Sequence, residues 1–161
     1  MMISKKLAAA INEQIGHELQ ASHQYYLIAA YFDNLALKNL SGMFFRQGNE
    51  EHEHAMKFAK YVVEAGGDLA IPAIPAPQYA FKTVEEAVQK SVDWEWEVTR
   101  RINALMDIAR EEKDYLGQGF LQWFIDEQLE EVSTMETLLR VVKQVEKHNI
   151  FLLESFAAHA D

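Results

Sequence analysis

The stretch Asn49-Glu50-Glu51-His52-Glu53-His54-Ala55-Met56 (NEEHEHAM, 49–56) decides how this chain is read. Five consecutive side chains in it, Glu50 to His54, can carry charge. From Met43 to Val63 the surrounding residues otherwise follow an amphipathic helical pattern, with aromatic and aliphatic side chains on one face. Glu51 and His54 fall in phase with that apolar face, three residues apart, so both project from the same side of one helix.

The same conflict recurs along the chain. Apolar residues at steps of three and four predict four long helices, over about 4–32, 40–65, 83–111 and 115–146, and a short fifth over 149–159. The first stripe runs Leu7, Ile11, Ile15, Glu18, Ala21, Tyr25, Ile28 and Phe32. The second runs Phe44, Gln47, Glu51, His54, Phe58 and Val62. The third runs Val84, Val88, Ser91, Glu95, Val98, Ile102, Leu105 and Ala109, and the fourth Phe120, Phe124, Glu127, Glu131, Met135, Leu138 and Val142. Every stripe carries a carboxylate near its middle. A buried, unpaired carboxylate costs several kcal/mol or shifts its pKa until it is neutral. Arg46, Lys57, Lys60, Arg100, Arg101 and Arg110 fall off the stripes, so basic side chains do not compensate. A multivalent cation would. Oxygen ligands with a few imidazole nitrogens suit iron better than copper or structural zinc.

The punctuation between stripes supports an all-α bundle. All three prolines lie in 66–82, GGDLAIPAIPAPQYAFK, which reads as one long crossover opened by a helix-stopping Gly-Gly pair. Thr83 with Glu86 forms a capping-box pattern at the next helix start. Shorter breaks are expected near 33–39 and near 112–119, with Asp114 as a cap.

Bulk properties bound the function. The 161 residues suit one domain with a substantial core. The formal net charge of −10 argues against nucleic acid or an anionic membrane as partner and is compatible with collecting cations. The absence of Cys excludes disulfides, thiolate metal sites and Fe–S clusters. No segment reads as a signal peptide or membrane span, so a cytoplasmic location is expected.

EQIGHELQASHQYY, NEEHEHAM, DWEWEVTRRIN and FLQWFIDEQLEEV together resemble the four site-bearing helix segments of prokaryotic non-haem ferritins, without obvious gaps from about residue 3 to 147. Rubrerythrins and bacterioferritins carry a second Glu-x-x-His on the last helix, and this chain has only one. Bacterioferritins also place a haem-ligating Met after the first such Glu; His52 stands there, so no haem is expected.

The resemblance implies a ferritin-like four-helix bundle with a long crossover between the second and third helices, assembled into a hollow cage of 24 chains. It implies a ferroxidase centre holding two irons. The first would be held by Glu18, Glu51 and His54, the second by Glu51 as bridge, Glu95 and Glu131. Gln128 would orient water or dioxygen, and Tyr25 would donate a hydrogen bond or an electron. Glu50, Glu127, Glu130 and Glu131 match a third iron site. The implied activity is oxidation of Fe(II) by O2 or H2O2 and storage of Fe(III) mineral. The alternative is a di-iron oxidoreductase that stores nothing.

Overall fold

The computed structural model describes residues 2–145 and 149–159. Among the described residues five helices follow in order: α1 (Lys5–Asn34), α2 (Lys38–Glu64), α3 (Val84–Glu111), α4 (Tyr115–Val145) and α5 (Leu152–Ala157). There is no strand among the described residues. The fold is the expected all-α four-helix bundle with a short fifth helix. The tail helix is shorter than 149–159, and residue 146, expected to end the fourth helix, lies outside the described residues.

Local chemistry explains the helix ends. The Ser4 hydroxyl accepts from Leu7 N at 3.0 Å and starts α1. The Thr83 hydroxyl accepts from Glu86 N at 3.0 Å, while the Glu86 carboxylate reaches back to Lys82 N at 2.7 Å. Asp114 Oδ1 accepts from Gly117 N at 2.7 Å at the start of α4. α2 has no side-chain cap of its own at Leu37. Its cap arrives from the tail: the Glu154 carboxylate accepts from Asn39 N at 2.8 Å and from Leu40 N at 3.1 Å.

The short 35–37 and 112–114 links make two helical hairpins, α1 with α2 and α3 with α4, joined chiefly where α1 meets α3. The 65–83 crossover returns along α1. Asn12 Nδ2 donates to Asp68 O at 2.8 Å, Pro72 packs on Gly16, and Gln24 exchanges two hydrogen bonds with the Gln78 backbone at 2.8 and 2.9 Å. Contacts advance along α1 and the crossover together, so the strap traverses the bundle and α3 runs parallel to α2. A Cβ at Gly16 would lie 2.4 Å from Pro72 Cγ, which is why a glycine stands there.

The core is split. One apolar cluster gathers Tyr25, Ile28, Phe32, Phe44, Val88 and Leu138. The other gathers Leu7, Ile11, Phe58, Ile102, Leu121 and Phe124. On every main helix the residues between these clusters are the polar ones: Glu18 on α1, Glu51 and His54 on α2, Glu95 on α3, Gln128 and Glu131 on α4.

Candidate metal centre

Helical periodicity turns each of these side chains inward at one level of the bundle. Glu18, Glu51, Glu95 and Glu131 are each at most 5% exposed, and His54 is 7% exposed. Among the described residues no Lys or Arg is buried. The ligand atoms fall into three groups in which every pair lies within 4.8 Å: Glu18, Glu51 and His54; Glu51, Glu95 and Glu131; His54, Glu127 and Glu131. The first two share Glu51. They contain the residue sets expected from the sequence for two neighbouring metal positions with a bridging carboxylate.

The carboxylates are held by neutral partners and leave oxygens unsatisfied. Gln14 Nε2 donates to Glu18 Oε1 at 2.9 Å. The Tyr25 hydroxyl donates to Glu95 Oε1. Gln128 Nε2 lies 3.3 Å from Glu95 Oε2, 3.1 Å from Glu95 O and 3.1 Å from Thr99 Oγ1. His54 Nδ1 sits 3.3 Å from Glu51 Oε2. Glu18 Oε2 and Glu51 Oε1 are buried and receive no protein donor. They are left for a proton, a water or a cation to satisfy, and a cation does so for both at once.

Burial dominates the electrostatics. It raises Glu18 to about 7, with the Gln14 hydrogen bond pulling the other way. Burial, then the neighbouring Glu95 and Glu18, push Glu51 well above the usual range. Burial and the nearby Glu95 and Glu50 lift Glu131 to about 9. Glu95 rises only to about 6, because Tyr25 and Gln128 hydrogen-bond its ionised form. Burial, helped by the Lys57 charge, lowers His54 to about 4, which leaves a neutral imidazole able to ligate. Without metal the centre therefore holds protons. A cation that displaces them releases the desolvation cost of carboxylates already aimed at it.

Of the residues expected at a third position, Glu50 and Glu130 are exposed and belong to none of the three groups. With Glu127 and Glu131 they line an acidic groove of about 260 Å³ between α2 and α4, which also contains Arg46. Glu127 is the member placed near His54 and Glu131. On α4 the buried line runs through Leu121, Phe124, Gln128 and Glu131, so Gln128 rather than Glu127 faces the core. His23 and His52 are exposed, and His17 is half-buried beside Arg101 and Glu97, so none joins the centre.

Two residues of the centre escaped the sequence reading. Gln14, one turn before Glu18, carries an i,i+4 signal for contact with a site carboxylate, and Thr99, one turn after Glu95, donates its hydroxyl to the Glu95 backbone carbonyl at 2.8 Å while accepting from Gln128 Nε2. Trp123 packs edge-on against His54 at 5.6 Å, and Lys57 Nζ sits 3.0 Å from its ring centroid, closing that side of the imidazole.

Comparison with known proteins agrees with this geometry. Residues 8–145 match the ferritin-like domain family. A bacterial non-heme ferritin of Staphylococcus aureus is 38% identical over 144 residues, covering 89% of this chain and 87% of the relative. Ferritin BfrB of Mycolicibacterium smegmatis is 38% identical over 156 residues, covering 97% and 86%. In the solved structure of an open pore ferritin from the hyperthermophilic archaeon Archaeoglobus fulgidus, 98% of each chain superposes with a TM-score of 0.94 at 31% identity. The family match and these identities, over nearly the whole bundle that carries the carboxylates, place the chain in the ferritin family.

Proposed function

We propose that this ferritin stores iron and is itself a ferroxidase, oxidising Fe(II) with O2 or H2O2 at an intrasubunit dinuclear centre. The Fe(III) is deposited as mineral inside a hollow cytoplasmic assembly of identical chains, 24 by analogy with its family. The carrying observation is the pair of donorless buried oxygens, Glu18 Oε2 and Glu51 Oε1, in a carboxylate cluster with no buried Lys or Arg among the described residues.

Iron is the substrate here. Fe(II) is attracted through the acidic groove of Glu50, Glu127 and Glu130 and reaches Glu131 at its inner end. One ion is taken by Glu18, Glu51 and His54, the other by Glu51, Glu95 and Glu131. Ligation ionises the protonated carboxyls, so protons leave as metal arrives. Two Fe(II) supply the two electrons that convert one O2 and two protons to H2O2, or one H2O2 and two protons to two waters. The four carboxylates stabilise the higher charge of the product. Tyr25 and Gln128 hold the Glu95 carboxylate in place while the charge changes. Hydrolysis of Fe(III) then releases protons and drives the iron into mineral.

Size-exclusion chromatography with in-line iron detection, after excess Fe(II) in air, tests this reading. Iron far above the site stoichiometry, co-eluting with a very large assembly, is expected. Iron at roughly two per chain on a small oligomer, the capacity of one dinuclear core, would instead mean a non-storage di-iron oxidoreductase. No retained iron would sink both.

A further inference from the structure

The acidic groove reaches the centre from the α2–α4 side. A second groove, of about 440 Å³, approaches it from the α3–α4 side and has the opposite character. Ile102, Ile125, Leu129 and Val132 supply its walls, with Thr99 and Gln128 among the lining residues. Its one carboxylate, Glu136, is engaged by Trp96 Nε1 at 3.1 Å, which ties α3 to α4 across the groove. Gln128 both lines the groove and lies 3.3 Å from Glu95 Oε2, so one amide side chain separates the groove from the buried carboxylates.

We propose that this groove is the oxidant's route: a binding and access site for dioxygen, separate from the acidic route of Fe(II), with Gln128 as the partition between groove and centre. The inference rests on the ferroxidase reading above. The chemistry of the two substrates supports the division. Fe(II) is charged and strongly hydrated, so it follows the carboxylates of the α2–α4 groove. Dioxygen is small, neutral and apolar, and apolar protein cavities take up such molecules, xenon among them. Separate routes bring dioxygen to the Glu95 and Gln128 side while Glu127 and Glu131 stay available to iron. Hydrogen peroxide is polar and gains nothing from the apolar walls, so its use does not depend on this groove.

The test fills the groove without touching a proposed ligand. Val132→Phe fills it from a half-buried position and Ser133→Trp from an exposed one, so at least the second variant is expected to fold normally. Oxidation of Fe(II) is followed against dissolved O2 and, separately, against H2O2, on the full chain in its native assembly. Each variant is expected to raise KM for O2 by about threefold or more, with the H2O2-driven rate, anaerobic Zn(II) stoichiometry and elution volume all unchanged. Xenon pressurisation should place an atom in the wild-type groove and none in Val132→Phe. An unchanged oxygen dependence in both variants would overturn the inference, as would an equal loss with both oxidants. A shifted elution volume would also overturn it, because the groove would then be a contact between subunits. Wild-type protein that oxidises Fe(II) with neither oxidant would instead overturn the ferroxidase reading beneath it.

Discussion

The apolar ends of the bundle and its polar waist are built on opposite terms. At the ends, Phe32, Phe44 and Leu138, or Leu7, Phe58 and Phe124, leave water completely or nearly so and contribute the burial that holds four helices together. At the waist, Glu18, Glu51, Glu95 and Glu131 leave water too, at a cost in free energy, and their hydrogen bonds do not satisfy every oxygen. The ends make the fold stable enough to carry the waist. The waist contributes little to stability until a cation binds, and that deficit is what gives it affinity.

Removing the waist chemistry is the sharpest way to separate the two. Glu51→Ala with His54→Ala deletes the shared bridge and the only imidazole of the buried centre among the described residues. Rapid Fe(II) oxidation should fall by about 100-fold or more, in line with loss of groups that act as a unit. Assembly and the melting temperature of the metal-free protein should hold or rise, since a costly carboxyl has gone. Stopped-flow oxidation beside gel filtration decides it. Unchanged rapid oxidation would mean that the centre lies elsewhere.

Damage to an end should do the reverse. Phe32 is fully buried, with its ring centroid 5.2 Å from that of Phe44, and lies outside all three ligand groups. Phe32→Ala should lower stability by about 3–5 kcal/mol, through lost burial and the cavity left behind. Oxidation per folded chain should stay near wild type. Denaturant unfolding with matched activity assays checks both halves, and a matching loss of oxidation would show that ends and waist are not separable.

Protonation offers a gentler handle on the waist. A carboxyl whose folded pKa is raised contributes fully below its unfolded pKa and loses that contribution as pH climbs through the folded value. For the metal-free protein this window opens near 4.5 and runs to about 7 for Glu18 and about 9 for Glu131. His54, lowered to about 4, acts in the opposite sense only below its unfolded value of 6.5. Between about pH 6.5 and pH 8.5 the carboxyls act alone, and stability should fall by on the order of 1 kcal/mol per pH unit. Saturating Zn(II) should cancel the slope and add about 2.7 kcal/mol at a hundredfold excess over its Kd. Melting curves across pH, with and without zinc, read both effects. A flat metal-free profile would contradict the raised carboxyls.

The sequence made the waist legible because four stripes carry Glu18, Glu51, Glu95 and Glu131 at matching depth, and each carboxylate interrupts an otherwise apolar line. The phase of α4 was harder. The run from Asp126 to Glu131 is polar apart from Leu129, which is itself exposed, so composition did not show that Gln128 faces inward and Glu127 only grazes the core. The start of α2 at Lys38, two residues before the expected 40, had no local signal. Its cap comes from Glu154, more than a hundred residues later, and no window along the sequence contains that contact. The end of α1 is hidden for another reason, the absence of a glycine at its left-handed position.

α1, α2 and α3 all end in the same reverse turn, with a left-handed residue one position past the helix cap. Leu37 N bonds to Phe32 O at 3.0 Å and Ala36 N to Asp33 O at 3.0 Å; the corresponding pairs are Gly67 N to Val62 O and Asp114 N to Ala109 O, both at 2.8 Å. The left-handed residue is Gly66 after α2, with φ 76°, but Ala36 after α1 and Lys113 after α3, with φ 60° and 56°. Only the first is announced by a glycine, so the Gly-Gly pair reads as a stop while the other two ends read only as broad breaks. An L residue with a Cβ is strained there by about 1 kcal/mol relative to glycine. Ala36→Gly relieves that strain and gives back part of the gain through the freer unfolded chain. The net expectation is a stabilisation of about 0.5 kcal/mol, or roughly 1–2 °C in melting temperature for a domain of this size. The change sits at an end of the bundle, so Fe(II) oxidation and the pH slope of the metal-free protein should both be untouched. A loss of stability in Ala36→Gly would mean that the packing of the Ala36 methyl, and not backbone strain, governs the turn.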